Sequence, residues 1–285
     1  MHTNLTRPLA IIGLALALVL SGAAFGQNTL QRAQDEGTVT LGLANEVPYA
    51  YRDADTGELT GEAIEVARAV FHELGIENVE GVVVEFGSLI PGLQAGRFDV
   101  VTAGMYITPA RCEQVAFANP EYSIGEGIIV PAGNPMGITS YADIAADSQV
   151  RVGTGAGWVE YDYLLDSGVA ESQIVTFPDA PTGVGGLTAD RIDVFAGTSL
   201  TMRNVAENDD AVDFVEDFQQ PVIDGKEIRS YGAAAFRPAD SDFRDAFNEV
   251  LAELNESGQL AEIIGEFGFG ATEHPGAMTA AGLCN

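Results

Sequence analysis

The apolar positions along the chain change period several times, and the changes mark out elements. Thr38–Ala44 alternates and is rich in β-formers, which predicts a strand. A polar turn follows at Asp53–Glu58. Ala63–Leu74 then places Ile64, Ala67, Val70, Phe71 and Leu74 at helical spacing, and Gly75 ends it. The pattern predicts strands at Val82–Phe86 and Phe98–Ala103 with a short helix at Leu89–Ala95 between them. Ile124–Pro131 reads as a long apolar strand running into the turn cluster Gly133-Asn134-Pro135. A second round follows, with strands at Val150–Gly153, Ile174–Phe177 and Val194–Ala196. Helices are expected at Glu160–Leu165, Val184–Ala189 and Leu200–Ala206. Tyr231–Phe236 is a further strand. Asp242–Glu256 puts Phe243, Ala246, Phe247, Val250, Leu251 and Leu254 on one helical face, and Leu260–Phe267 is another helix.

Strands alternating with helices predict an α/β fold with mostly parallel sheets. The rhythm is one α/β lobe interrupted by another and then resumed: lobe 1 over 27–130, an inserted lobe 2 over 131–230, and the completion of lobe 1 over 231–285. Two strand-like crossings, near Ile124–Pro131 and Tyr231–Phe236, are the expected hinge. Ligands of such sheets bind beyond the carboxyl ends of strands, so two facing lobes make a cleft that closes.

The N-terminus adds a destination. Met1–Pro8 is polar with one cation, Arg7, and Leu9–Leu20 is almost wholly apolar before the small residues Ser21–Ala24. This order predicts a secretory signal over 1–26, cut after Gly26, and a periplasmic mature chain. Its apolar stretch falls short of the ~20 residues that span a bilayer.

Charge excludes whole classes of partner. Thirteen basic against 42 acidic residues give a formal charge of −29, which argues against nucleic acid and anionic membrane surfaces. Saline surroundings and ordinary acidic secretion both fit that balance. The two cysteines, Cys112 and Cys284, are expected to pair in an exported chain and pin the tail to the first lobe. They lack metal-ligand spacing, and the three histidines are scattered, so no metal or other cofactor is expected.

The stretch LIPGLQAGRFDVVTAGMYITPARCEQVAFANPEY, Leu89 to Tyr122, resembles the periplasmic solute-binding proteins of polar amino-acid-type ABC importers. The segment YGAAAFRPADSDFRDAFNEVLAELNESGQLAEIIGEFG, Tyr231 to Gly268, is similar to them as well. The resemblance implies the two-lobed type II periplasmic-binding-protein fold, a monomer, and docking to membrane permease subunits. It makes Arg111, in the turn Ile107-Thr108-Pro109-Ala110-Arg111, the clamp for a ligand carboxylate, where a planar guanidinium offers paired N–H donors.

Two positions depart from the amino-acid pattern. Tyr106 stands where a small hydroxyl residue is usual, and Thr198 stands where an acid usually holds an α-ammonium. Glu46, Tyr49, Phe86 and Tyr106 instead offer an acid and three aromatic faces at strand ends, a cage for a delocalised cation. This set is similar to the ectoine and hydroxyectoine receptors of the family. That resemblance assigns Glu46 to the amidinium, Tyr49, Phe86 and Tyr106 to the box, Gly104 to a backbone contact and Arg111 to the carboxylate.

From lobe 2, Ala156 and Gly157 in the strand-to-helix turn Gly153–Trp158 are expected to meet the carboxylate with backbone N–H groups. Thr198 is a further candidate contact, and Trp158 is read as packing. An amino-acid receptor is the rival on the same fold. Some dehydratases share this architecture, but no second catalytic partner stands beside Glu46, so no enzyme is expected. A sensory role reads the same as transport.

Overall fold

A computed structural model describes residues 28–285; the expected signal over 1–26 lies outside them. Two five-stranded sheets organise the chain. In the first, Thr38–Leu43 runs parallel to Asn78–Val83 on one side and to Val100–Val101 on the other. Ala235–Phe236, from the far end of the chain, inserts antiparallel between Val100–Val101 and Ala116–Phe117. In the second, Val152–Gly155 is parallel to Ile174–Phe177 and Val194–Thr198, while Glu126–Pro131 is antiparallel to Val194–Thr198 and Val212–Phe214. Each sheet is the centre of one lobe, the arrangement of the type II periplasmic-binding-protein fold.

The helical patterns are realised with shifts of a few residues. Glu62–Glu73 buries Ile64, Ala67, Val70 and Phe71 against the first sheet. Ser241–Ser257 stops at Gly258, whose φ of 85° favours glycine. Its Phe243 and Phe247 meet Phe71 and Phe236 with ring centroids 5.3–5.7 Å apart. Fully burying each such ring contributes roughly 1.5–3 kcal/mol, so this cluster locks the resumed C-terminal part of lobe 1 to its first half.

Three strand expectations are corrected. The strand expected at Val82–Phe86 runs instead over Asn78–Val83, and Phe86 opens a short 3₁₀ turn, Phe86–Ser88. It is the edge of its sheet, so the polar Asn78 and Glu80 are tolerated in it. The strand expected at Ile124–Pro131 is cut at Gly125. Tyr122–Ile124 pairs with Ser230–Gly232, and Glu126–Pro131 belongs to the second sheet. At the cut the Gln220 side-chain amide bonds both backbone groups of Glu126, at 2.7 and 2.8 Å. The strand expected at Tyr231–Phe236 likewise divides into Ser230–Gly232 and Ala235–Phe236. Both sheets are consequently mixed, because a chain crossing between lobes re-enters each sheet against its neighbours. The paired segments Tyr122–Ile124 and Ser230–Gly232 are the crossings.

Candidate functional site

The three parallel strands Asn78–Val83, Thr38–Leu43 and Val100–Val101 are neighbours, so the loops at their carboxyl ends converge. The first loop folds back on itself, with Glu46 N–H donating to the Ala50 carbonyl at 2.9 Å and Tyr49 N–H to the Glu46 carbonyl at 2.9 Å. Gly104 and Tyr106 follow Val100–Val101. Thr108 caps the helix Pro109–Cys112, its Oγ1 accepting from Arg111 N–H, and so aims the guanidinium. Glu46, Tyr49, Phe86, Gly104, Tyr106 and Arg111 line one cavity of about 270 Å³ together with Trp158, Val159, Glu160 and Thr198 of lobe 2.

The lobes touch directly around it. Tyr49 Oη donates to Thr198 Oγ1 at 2.9 Å, and Thr198 donates on to Thr201 Oγ1 at 3.0 Å. Thr201 Oγ1 donates to Glu46 Oε1 at 2.8 Å. On the other side Arg111 donates to the Tyr106 carbonyl at 2.9 Å and, across the cleft, to the Gly157 carbonyl at 2.9 Å. Its guanidinium lies 5.4 Å from the centre of the Phe86 ring, so that ring already meets one cation. A guanidinium has five N–H donors, and these two bonds leave three for a ligand.

Carboxyls dominate the electrostatics. Burial pushes Glu46 up to about 8, against the Thr201 hydrogen bond, with the charge of Glu160 adding to the rise. Burial also raises Glu160, opposed by its own backbone N–H, by a hydrogen bond with the Glu126 carboxyl and by Arg111. Glu126 is raised by burial and then by the Glu160 charge. Arg111 is lowered by burial, with Glu160 pulling the other way. The Tyr106 hydroxyl is buried with no hydrogen-bond partner among the described residues, a donor open to a ligand oxygen.

Seven of the nine expected ligand residues thus line the cavity, while Ala156 and Gly157 do not. The Ala156 N–H is committed to the Phe177 carbonyl at 2.7 Å, and Gly157 presents its carbonyl to Arg111. The Ala156 donor is therefore spent within lobe 2, and Gly157 gives this turn a contact between the lobes. Gly157 has φ of 83°, and a Cβ there would stand 2.9 Å from the Gly87 Cα, so only glycine allows this approach. Cys112 and Cys284 are joined by a disulfide.

Trp158, read as packing, does both: it lines the cavity and tilts against Phe195 at 6.0 Å. Its signal was the pair Gly155 and Gly197 on neighbouring strands, whose missing side chains leave room for the indole. Glu160 was passed over because an acid in the first turn of a helix is ordinarily a surface residue facing the helix dipole; here it is 2% exposed.

The profile of the bacterial extracellular solute-binding proteins, family 3, matches residues 39–271. A probable amino-acid ABC transporter periplasmic-binding protein of Sinorhizobium fredii is 39% identical over 92% of this chain and 87% of its own. The crystal structure of EhuB in complex with hydroxyectoine superposes with a TM-score of 0.82 at 35% identity, covering 91% of this chain and 99% of EhuB. An ancestral amino-acid-binding protein, described as a precursor of cyclohexadienyl dehydratase, gives 0.72 at 26% identity over 84% of this chain and 99% of its own. The chain belongs to the bacterial extracellular solute-binding proteins, family 3, and is the substrate-binding component of an ABC importer of the polar amino-acid type.

Proposed function

We propose that this protein captures a compact zwitterion with a delocalised cation, ectoine or hydroxyectoine, between two closing lobes and delivers it to membrane permease subunits without turnover. The observation that carries the reading is the shared cavity wall. Glu46, Tyr49, Phe86 and Tyr106 gather around it with a single guanidinium, Arg111. Arg111 holds the carboxylate, the rings face the cation, and Glu46 accepts its N–H. A water-poor aromatic site suits a solute that ordinary protein surfaces exclude. The likeness to EhuB, solved with hydroxyectoine, supports the same ligand class. Thr198 takes part by bonding Tyr49 across the cleft rather than by countering an α-ammonium. The crossings Tyr122–Ile124 and Ser230–Gly232 serve as the hinge between a first lobe over about 27–130 and 231–285 and a second over about 131–230.

A second reading rests on Glu160. A further carboxyl in the cavity wall favours a ligand with an additional cation or donor, such as a basic amino acid. Calorimetry on the isolated protein with ectoine, hydroxyectoine, glycine betaine, proline and arginine decides between them. Micromolar or tighter binding of the first two, equivalent to about 8 kcal/mol or more, is expected. Binding of arginine without ectoine replaces the first reading by the second.

A further inference from the structure

We infer that the C-terminal segment 269–284 is a strap that positions both ends of the ligand site: Phe269 sets Tyr49, and the Cys112–Cys284 bridge sets the turn bearing Arg111. The segment leaves the last long helical region at Phe269, which is 3% exposed and completes a triangle of rings with Tyr49 and Tyr122. Its centroid lies 5.6 Å from Tyr49, edge to face, and 4.9 Å from Tyr122. Tyr49 and Tyr122 are themselves 5.3 Å apart, and the Tyr122 hydroxyl donates to the Gly104 carbonyl at 2.9 Å. Phe269 therefore packs directly against a cavity-lining ring while lying outside the cavity wall itself.

The strap then crosses the hinge. Ser123, on the crossing Tyr122–Ile124, donates its N–H to the Glu273 carbonyl at 2.7 Å and its hydroxyl to the His274 carbonyl at 3.3 Å. Arg229, at the foot of the other crossing, donates to Ser123 Oγ at 2.9 Å and to the Thr272 carbonyl. Beyond it Ala280 N–H donates to Asn119 Oδ1 at 3.2 Å, and the disulfide fixes Cys284 to Cys112. Cys112 is the residue after Arg111 and the last of the helix Pro109–Cys112. Four residues of helix have little rigidity of their own, so the bridge supplies an external anchor for the clamp. One covalently terminated segment thus touches the cation side, the hinge and the carboxylate side, whichever zwitterion is bound.

The test needs no ligand in its first arm. Amide hydrogen exchange is followed on the whole protein oxidised, reduced with dithiothreitol, and as Cys284→Ser, Phe269→Ala and Phe269→Tyr. Loss of the bridge is expected to speed exchange at least about tenfold over 107–115, and Phe269→Ala to do so at Tyr49 and Ala50. Strand Val194–Thr198 of the second lobe should keep its protection, and Phe269→Tyr should restore the first loop. Unchanged protection in both windows, or equal loss throughout the second sheet, overturns the inference. Should Phe269→Ala fail to fold, Phe269→Leu takes its place with the same expectation.

The second arm titrates hydroxyectoine and L-arginine by calorimetry and by the fluorescence of Trp158. The ligand bound by the wild type should weaken at least fivefold in Cys284→Ser and in Phe269→Leu, and an unchanged Kd sinks the positioning role. If the wild type binds neither probe, the ligand reading fails and the exchange arm alone decides the strap.

Discussion

Tyr49 of the first lobe and Thr198 of the second meet across the cleft, hydroxyl to hydroxyl, at 2.9 Å. Both groups are buried, and both line the cavity. Tyr49 therefore serves twice, its ring as part of the cavity wall and its hydroxyl as a latch between lobes. Tyr49→Phe keeps the ring and removes the latch. It is expected to weaken binding by about 1 kcal/mol, roughly fivefold, through faster dissociation seen in stopped-flow fluorescence. Thr198→Val should cost a similar amount, and the double variant little more than either single one. Additive losses would show that the two hydroxyls act separately.

Arg111 is the one guanidinium in the cavity wall. Arg111→Ala should cost about 3 kcal/mol or more, a hundredfold or greater rise in Kd, while thermal unfolding shifts far less. Arg111→Lys keeps the charge but loses the paired donors, and roughly a tenfold loss is expected. Retained affinity in Arg111→Ala would remove the carboxylate clamp from the mechanism.

Gly104 has φ of 64°, and a Cβ there would stand 2.5 Å from the Tyr49 ring. Gly104→Ala must displace that ring as well as strain the backbone. A loss of about 1–3 kcal/mol in stability, with binding reduced at least in proportion, is the expected outcome in paired denaturation and calorimetry. A variant with wild-type affinity would show that Tyr49 is free to move.

Glu46 and Glu121, both pushed up to about 8 by burial, keep a proton in the folded protein where the unfolded chain has lost it. Between the usual carboxylate range and pH 8 the folded state thus binds more protons, so ligand-free stability falls as pH rises through that window. Thermal midpoints should drop from pH 5 to pH 8, and less steeply in Glu46→Gln. A cation seated beside Glu46 draws its titration back down. Binding at pH 7 should then release close to ~one proton per ligand, read as a buffer-dependent enthalpy in phosphate against Tris. A buffer-independent enthalpy would place the cation elsewhere.

The sequence was most informative where one physical requirement dominates. Helical spacing of Phe243, Phe247 and Leu251 set the last long helix within a residue or two of Ser241–Ser257. Arg111 stood out because cations are scarce in so acidic a chain. The breaks at Gly125 and between Gly232 and Ala235 were not legible, because they are fixed by distant partners: Gln220 for the first, and the strands at 100–101 and 116–117 for the second. The same cause hid Glu160, whose role depends on Glu126 and Arg111 packing over it from elsewhere in the chain. The Gly153–Trp158 turn misled for a local reason. Its Gly157 allows a close approach of the opposite lobe's backbone, while Gly153 and Gly155 make room for side chains of their own lobe.

The strand Ala235–Phe236 sits between Val100–Val101 and Ala116–Phe117 in the first sheet. That arrangement sets an order of assembly for a chain emerging amino end first. The second sheet draws on residues 126–214 alone and can be complete while the tail is still being threaded. The first sheet lacks its fourth strand, and with it the pairing of its edge strand Ala116–Phe117, until residue 236 has emerged, although its earliest strand is near residue 38. The lobe carrying Arg111 is therefore the last to become native, and a nascent molecule cannot form the cavity between its lobes until most of its length is available.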